Sequence, residues 1–279
     1  MPVQALGLSA GLLSAAVFGV AAVVQAHAVR RYPGTPDQLF GFVGRSLRDA
    51  RMMAVVAAYL VGFLLHAVAI WYLPLYLAQA LVSLSLPVSA LASRRVEHAL
   101  HRTGWVGVGL VTGGLVLLSL GAGDPGSVIT TGTFVALLWT AVGLLVVASL
   151  ARRHLAGPLL GLLAGLGYAG SAISVRGVGT PVEAVVVAAA LAVPSFSLVA
   201  FWLYSLGMHD AAVPSTTASL IVAQTFVPAA VGVALLGDQV RDGWWPAVGL
   251  GMVLSMVGAL VLALRHAPDV RSPAAPATR

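Results

Sequence analysis

Residues 11–22, GLLSAAVFGVAA, and residues 161–172, GLLAGLGYAGSA, are two apolar stretches of the chain that align without a gap. Both begin with Gly-Leu-Leu and end on alanine, and both carry an aromatic residue at the eighth position, Phe18 in the first and Tyr168 in the second. Apolar stretches of this kind favour helices that cross a membrane. Their likeness predicts an internal duplication.

The composition is typical of a multi-pass membrane protein. Hydrophobic residues make up 59% of the chain and charged residues 9%, whereas a soluble domain has about 25% charged residues. At about 20 residues for each spanning helix, 279 residues leave room for about nine or ten spans and no separate soluble domain. The absence of cysteine excludes disulfides, thiol catalysis and cysteine metal sites.

Nine apolar runs are long enough to span, and all are interpreted as helices because open strands cannot satisfy their backbone hydrogen bonds in lipid. The runs are residues 5–28, 52–72, 74–93, 104–122, 129–150, 156–174, 184–206, 211–236 and 244–265. Residues 32–51 are too polar to span. Their apolar residues at helical spacing (Leu39, Phe40, Val43 and Leu47) favour either a short amphipathic helix in the cytoplasmic interface or an ordered loop. Residues 266–279, rich in Pro and Ala, are expected to be a disordered tail.

Arginine predicts the orientation. All 15 basic residues are Arg, and 13 of them lie in the loops and tail on one side of the predicted spans, leaving only Arg176 and Arg241 on the other. The side rich in Arg is expected to be cytoplasmic, so that the N-terminus lies outside and the C-terminus inside. Because these Arg lie between apolar spans, the net charge of +6 does not indicate nucleic-acid binding. We expect a multi-pass protein of the plasma membrane, in this case a bacterial inner membrane.

A second pair of segments indicates how the copies are related. Residues 105–110, WVGVGL, recur as residues 245–250, WPAVGL, in the fourth and ninth runs. Equivalent helices lie five runs apart in the chain. Because each span crosses the membrane in the direction opposite to the one before it, an odd separation inverts the second copy. The predicted fold is an all-α membrane protein of two inverted four-helix repeats joined by a linking helix, and many secondary transporters build an alternately open site in this way. The layout is a single transmembrane domain over 1–279, with repeat 1 at 5–122, the linking span at 129–150 and repeat 2 at 156–265.

Both copies also share a proline and an acidic residue. Glu97 and Asp238 each follow the proline of their copy, Pro87 or Pro228, by ten residues and precede a Gly-rich last helix. This order resembles the drug/metabolite transporter superfamily, whose EamA-type repeats carry an acidic residue before the final helix. EamA-type members usually have ten spans, a cytoplasmic N-terminus and Glu where Asp238 stands, so that nine spans look more like the NIPA-type magnesium transporters of the same superfamily. We interpret both acidic residues as helix-end or loop anchors.

Polar and aromatic side chains inside the runs are candidates for the wall of a substrate cavity. Proline frees backbone carbonyls, and interrupted helices often line transporter sites. The alternatives are ordinary packing for the aromatic residues and interhelical hydrogen bonds for the Ser, Thr and His side chains. The candidates are Phe18, Gln25, His66, Gln79, Ser83, Pro87, Tyr168, Ser171, Thr217, Gln224 and Pro228.

Charge within the membrane is scarce. All nine carboxylates lie outside the centres of the apolar runs, so an antiporter built on a membrane-embedded Glu is not expected. Mg²⁺ usually binds one or two carboxylates, and Asp210, at the start of the eighth run, is the nearest candidate ligand. Arg176 is interpreted as a cation of an outer vestibule or as an interfacial side chain that snorkels.

Three functions are therefore open. The leading one is a secondary transporter that moves a small solute or metabolite, with export as the direction implied by the resemblance. The others are a NIPA-like magnesium or divalent cation transporter, and a non-transporting membrane scaffold or lipid-handling protein. We expect no enzyme activity and no cofactor. Expected partners are membrane lipid and the substrate, and the protein is expected to be a monomer or a homodimer. Close-packing faces at Gly7/Gly11, Gly109/Gly113 and Gly157/Gly161/Gly165 are expected to pack within the chain, with a dimer contact as the alternative.

Overall fold

The computed structural model describes residues 2–29, 31, 39–93, 102–121, 123–126, 130–210 and 213–264, and they form a helical bundle. The helices are α1 (Pro2–Val29), α2 (Leu39–Ser46), α3 (Ala50–Tyr72), α4 (Leu75–Ser83), α5 (Ser85–Ser93), α6 (Arg102–Leu120), α7 (Gly132–Ser149), α8 (Gly157–Arg176), α9 (Ala184–Asp210), α10 (Val213–Leu235) and α11 (Trp245–Leu264). A 3₁₀ helix, Leu150–His154, follows α7. The expected all-α architecture is confirmed for these residues.

Five of the helices are long and apolar enough to cross a membrane. They contain Gln4–Val29, Ala50–Tyr72, Gly132–Ser149, Gly157–Arg176 and Ala184–His209. Shorter apolar stretches cover Leu75–Ser89, Trp105–Leu118, Ser219–Leu235 and Trp245–Gly258. Large apolar side chains such as Leu137 and Leu144 lie exposed on the outside, as expected of a surface that faces lipid rather than water. This is the architecture of a multi-pass membrane protein, with a helix at each of the nine predicted runs.

The helices form two groups with similar packing. In the first, α1 lies along α3 and contacts α4 and α5, while in the second α8 lies along α9 and α10. The groups meet where α6 packs on α11 and where α4 packs on α10. Helix α7 lies against α8 and α9. The interior is therefore formed between the two groups.

Glycine allows close approach at two of the three predicted faces. A β-carbon on Gly7 would lie 2.9 Å from Leu73 Cγ, and Gly161 and Gly165 face the backbone of α10. At Gly109 and Gly113 the described part of the chain makes no such contact, because a β-carbon at either position meets no described atom within 4 Å.

A different face of α6 contacts α11. It carries Gly107 and Gly114 together with the buried Val111 and Leu118. These positions follow the helical spacing of a contact stripe, and Gly109 and Gly113 fall outside it.

The third predicted run is divided into two helices. The break falls at Leu84, whose N–H bonds to the Leu81 carbonyl in a tighter turn. Pro87 explains it, since a proline cannot donate to the carbonyl four residues earlier, at Ser83. Pro228 lies inside α10 without a break.

In the described part of the polar segment after α1, residues Leu39–Ser46 form the helix α2. Phe42 is 1% exposed and packs against Phe201 of α9, at 5.8 Å between ring centroids. On the predicted apolar face Phe40 is 86% exposed, Leu47 lies beyond the helix end, and the placement of this face in the membrane interface stays a prediction. Residues 32–38, Glu97 and the tail 266–279 lie outside the described residues.

Candidate functional site

A cavity of about 690 Å³ lies between the two helix groups. Its wall is built by side chains of α1, α2, α3, α4 and α5 on one side and of α8, α9 and α10 on the other. Small-molecule sites usually have volumes of about 300–1,000 Å³. The cavity is therefore large enough for a metabolite-sized or drug-sized compound.

Most of the side chains proposed from the sequence lie at this cavity. Those in its wall are Phe18, His66, Gln79, Tyr168, Ser171, Thr217 and Gln224. Those placed elsewhere are Gln25, Ser83, Pro87 and Pro228, all of them buried among the helices. Phe18 and Tyr168, the matched aromatic residues of the two sequence copies, thus lie on the same cavity.

Two of the residues outside the wall brace it. Gln25 is fully buried, donates to Ser205 Oγ at 2.6 Å and accepts from the Tyr59 hydroxyl at 2.7 Å. Tyr59 is part of the wall, so Gln25 fixes a wall residue without reaching the cavity. The Ser83 and Thr225 hydroxyls lie 2.8 Å apart and join α4 to α10, which is the interhelical hydrogen bond considered as the alternative for Ser83.

His66 and Gln79 form a buried polar pair in the wall. Gln79 Nε2 lies 3.1 Å from His66 Nε2, and the Phe18 ring meets the imidazole edge to face at 6.4 Å between centroids. Within the described part of the chain, His66 Nδ1 is buried without a hydrogen-bond partner. A buried polar atom without a partner is uncommon, and this one belongs to a side chain of the cavity wall.

A row of aromatic rings continues from this pair along the cavity. The centroids of Phe18 and Tyr59 are 5.7 Å apart, and those of Tyr59 and Phe201 are 5.6 Å apart. Phe42 extends the row onto α2. Tyr59, Phe201 and Phe42 were not among the residues proposed from the sequence. Tyr59 could have been proposed, because a tyrosine inside an apolar run carries a hydroxyl group into the membrane.

The opposite wall holds further hydroxyl pairs. Ser171 and Ser197 lie 3.0 Å apart between α8 and α9, and the Tyr204 hydroxyl lies 2.5 Å from Thr217 Oγ1 between α9 and α10. Among the described residues that line the cavity, none is Asp, Glu, Lys or Arg. The wall is therefore mainly apolar and aromatic. It carries hydrogen-bonding groups at separate points and, among the described residues, no Asp, Glu, Lys or Arg side chain.

An ion pair lies beyond the cavity at one end of the bundle. Arg176, the last residue of α8, places Nη2 3.1 Å from Asp238 Oδ1, and both side chains are almost completely buried. Arg176 also donates to the carbonyls of Leu73 and Gly126 at 2.9 and 3.0 Å. The interpretation of Arg176 as a vestibule cation or snorkelling side chain is wrong, because the guanidinium is buried in the protein and paired with Asp238.

Asp238 holds the other half of the network. Its carboxylate accepts from the N–H of Leu75, at the start of α4, at 2.6 Å and from the N–H of Gly126 at 2.8 Å. Gly237 has a positive φ of 74°, which turns the chain so that the Asp238 N–H donates back to the Gly232 carbonyl of α10. Asp238 does anchor helix ends, as expected, but from a buried position.

The proposed metal ligand is placed differently from the expectation. Asp210 is the last residue of α9 rather than the first of α10, and its side chain is not described. Among the described residues, no three His, Cys, Asp or Glu side chains come together. Comparisons of the chain with family models, curated proteins and solved structures give no match.

Proposed function

We propose that the protein is a secondary transporter of the drug/metabolite transporter type, moving a small solute or metabolite by alternating access. The cavity between the helix groups carries this proposal, because a buried ion-pair network joins both groups at one end while the cavity extends toward the other. A site enclosed at one end is the arrangement that alternating access requires. Export is the direction that the resemblance implies.

The burial pattern of the two sequence copies supports the inverted repeat. Gly11 and Gly161 are buried, and the leucines that follow them, Leu12 and Leu162, are exposed in both copies. The half-buried aromatic residue of each copy then faces the cavity. Together with the parallel packing of α1 on α3 and of α8 on α9, this pattern supports two four-helix repeats around a shared site.

The meeting of chain segments at the ion pair supports nine spans. The turn from α3 to α4, the segment 123–126, the end of α8 and the turn after α10 all meet there. In a chain of nine spans, the segments that follow the second, fourth, sixth and eighth spans lie on the same side of the membrane. These are the four segments that meet at the ion pair. That end holds Arg176 and Arg241, whereas the other Arg belong to the opposite loops, so we assign it to the outside of a plasma membrane.

The uncharged wall favours an organic solute over a divalent cation. Mg²⁺ usually keeps one or two carboxylates among its ligands, and the described wall offers none. A scaffold without transport would not need a cavity of this size between its helix groups. No observation on the described residues favours either alternative over the solute transporter.

Accessibility of an introduced cysteine tests the proposal, because the chain has no native cysteine. Ser171→Cys places a thiol in the cavity wall. In proteoliposomes of known orientation, a membrane-impermeant maleimide should label it from the side assigned as cytoplasmic. Adding Asp238→Asn should open labelling from the other side by loosening the ion-pair network.

A matched control separates access from background. Ser195→Cys on α9 lies outside the cavity wall, and its labelling should not change with Asp238→Asn. Ser171→Cys that stays unreactive from both sides in both backgrounds would contradict alternating access. A screen of metabolites, drugs and Mg²⁺ for protection of Ser171→Cys from the maleimide would then identify the cargo.

A further inference from the structure

The cavity wall restricts the charge of what it can hold. None of the described lining residues is Asp, Glu, Lys or Arg, and most are aliphatic or aromatic. Transferring an isolated charge from water into such surroundings is strongly unfavourable. A compound that binds here without a counter-charge is therefore uncharged.

The aromatic row describes the shape of the compound. Starting from His66, the rings of Phe18, Tyr59, Phe201 and Phe42 follow one another with centroid separations between 5.6 and 6.4 Å. The row leads from the outer half of α3 to α2 at the opposite end of the bundle. Aromatic faces in sequence bind an elongated apolar body along its length.

The polar end of the compound is specified by His66. When the Gln79 amide N–H donates to His66 Nε2, the proton of the neutral ring lies on Nδ1. That N–H has no described partner and almost no exposed surface, so the imidazole ring must turn for the N–H to face the cavity. A ligand oxygen that accepts a hydrogen bond would satisfy it.

Exposed wall residues on α3 and α9 indicate that the cavity opens at the side of the bundle. Leu60 and Leu64 on α3 and Pro194 and Leu198 on α9 line the cavity and are also exposed at the surface, with Leu64 65% exposed. They lie near the middle of two of the five helices long enough to span, so a bilayer would place them at the depth of the acyl chains. An opening bordered by apolar side chains at that depth faces lipid rather than water.

We infer that the cavity takes an uncharged amphiphile with an elongated apolar body and a hydrogen-bond-accepting oxygen at one end, and that this compound enters from the lipid between α3 and α9. The oxygen accepts from His66 Nδ1 and the body lies along the aromatic row. This inference rests on the proposed function, since it assigns a class of cargo to the transport cavity.

A photoreactive probe tests the class of compound. Full-length protein in phosphatidylcholine nanodiscs would be labelled with a dodecanamide that carries a diazirine on its chain, and the labelled residues mapped by mass spectrometry. Labels should fall on wall residues such as Tyr59 and Phe201. Unlabelled dodecanamide should compete at least tenfold better than dodecanoate or dodecylammonium, which have the same chain and a charge. Labelling confined to outward-facing residues such as Leu144, or equal competition by the three compounds, overturns the inference.

Variants at His66 test the hydrogen bond. His66→Phe keeps a ring but removes the donor, and should weaken competition by dodecanamide about tenfold, the effect of one lost hydrogen bond. His66→Gln restores a donor and should recover most of the affinity. If both variants bind as the unmodified protein does, or if both lose binding equally while remaining folded in a thermal-shift assay, the assigned contact is wrong.

Variants at the opening test the route. Leu64→Trp should narrow the gap and slow labelling by the probe several-fold, whereas Val61→Trp, on the same helix but outside the wall, should not. An unchanged rate in Leu64→Trp contradicts entry from the lipid.

Failure of this inference can be told apart from failure of the proposed function. If the probe binds as expected but Ser171→Cys shows no alternating access, the transporter proposal alone is refuted. If access alternates but the charged compounds compete equally well, the cargo class alone is refuted.

Discussion

Arg176 and Asp238 form a buried ion pair of 3.1 Å that joins the end of α8 to the turn after α10. The guanidinium and the carboxylate also form hydrogen bonds with the backbone at Leu73, Leu75 and Gly126, outside the second helix group. Neither side chain could bond to all of these segments if the two helix groups moved apart at this end. The pair therefore closes that end of the cavity, and its removal should affect stability and access together.

Removing one member of the pair should be more harmful than removing both. Asp238→Asn leaves a buried guanidinium without its counter-charge, a change that typically costs about 3–5 kcal/mol. The double variant Arg176→Met/Asp238→Leu leaves no buried charge and should recover much of that loss. Denaturant titration of the purified protein measures both. A double variant no more stable than Asp238→Asn would mean that the remaining backbone contacts, rather than the charges, determine the stability of this end.

Gly232 should be intolerant of even one methyl group. A β-carbon there would lie 2.5 Å from Asp238 Oδ2 and 3.1 Å from Leu75 Cβ, so Gly232→Ala must displace the carboxylate that holds the network together. Gly249→Ala in α11 is the control, because its β-carbon meets no described atom within 4 Å. In a thermal-shift assay Gly232→Ala should lower the melting temperature, and Gly249→Ala should leave it unchanged or raise it, since alanine favours a helix over glycine by about 1 kcal/mol.

Neighbouring glycines of α6 should respond in opposite ways. Gly114→Ala places a methyl group 2.5 Å from the Gly251 carbonyl oxygen and should separate α6 from α11. Gly113→Ala has open space around it in the described part of the chain and should be tolerated. Comparison of the two by thermal shift identifies the contacting face of α6. Equal destabilisation by both would mean that Gly113 is also buried, for example in a homodimer, which cross-linking would detect.

Hydropathy and glycine content could predict the helices but not their contacts. Each apolar run became a helix, because that choice depends only on the residues within the run. Arg176 and Asp238 are 62 positions apart, and nothing in either local sequence indicates that they meet. The face of α2 was likewise predicted from spacing alone, while its neighbour on α9, Phe201, decided that Phe42 turns inward.

The same distinction applies to the cavity. Inside apolar runs a polar side chain is conspicuous, so His66, Gln79 and Gln224 could be proposed from the sequence. Gln25 and Ser83 were equally conspicuous but bond to Tyr59, Ser205 and Thr225 instead of lining the cavity. Which polar groups pair with each other depends on helix rotation, and a single sequence does not determine it.

Gln25 should contribute to stability through its two hydrogen bonds. Gln25→Leu leaves the Tyr59 hydroxyl without its acceptor and should cost about 1–3 kcal/mol, because a buried polar group is then unpaired. The double variant Gln25→Leu/Tyr59→Phe removes both partners and should regain part of the loss. Unfolding free energies of the single and double variants provide the measurement. Additive effects in this cycle would show that the two side chains do not interact.

Phe42 should hold α2 over the end of the cavity away from the ion pair. Its ring is buried against Phe201 and lines the cavity, and α2 contacts both α3 and α9. Phe42→Ala removes the packed ring, so we expect a loss of about 3–5 kcal/mol if α2 stays in place. If α2 instead detaches, the loss should be smaller and Ser171→Cys should be labelled faster from the cytoplasmic side.

Phe40→Ala is the matched control, since that ring is 86% exposed and its removal should change neither the stability nor the labelling rate. Labelling unchanged in Phe42→Ala together with a large loss of stability would assign Phe42 to the core of the fold; faster labelling with a small loss would make α2 a cover that opens the cavity to its substrate.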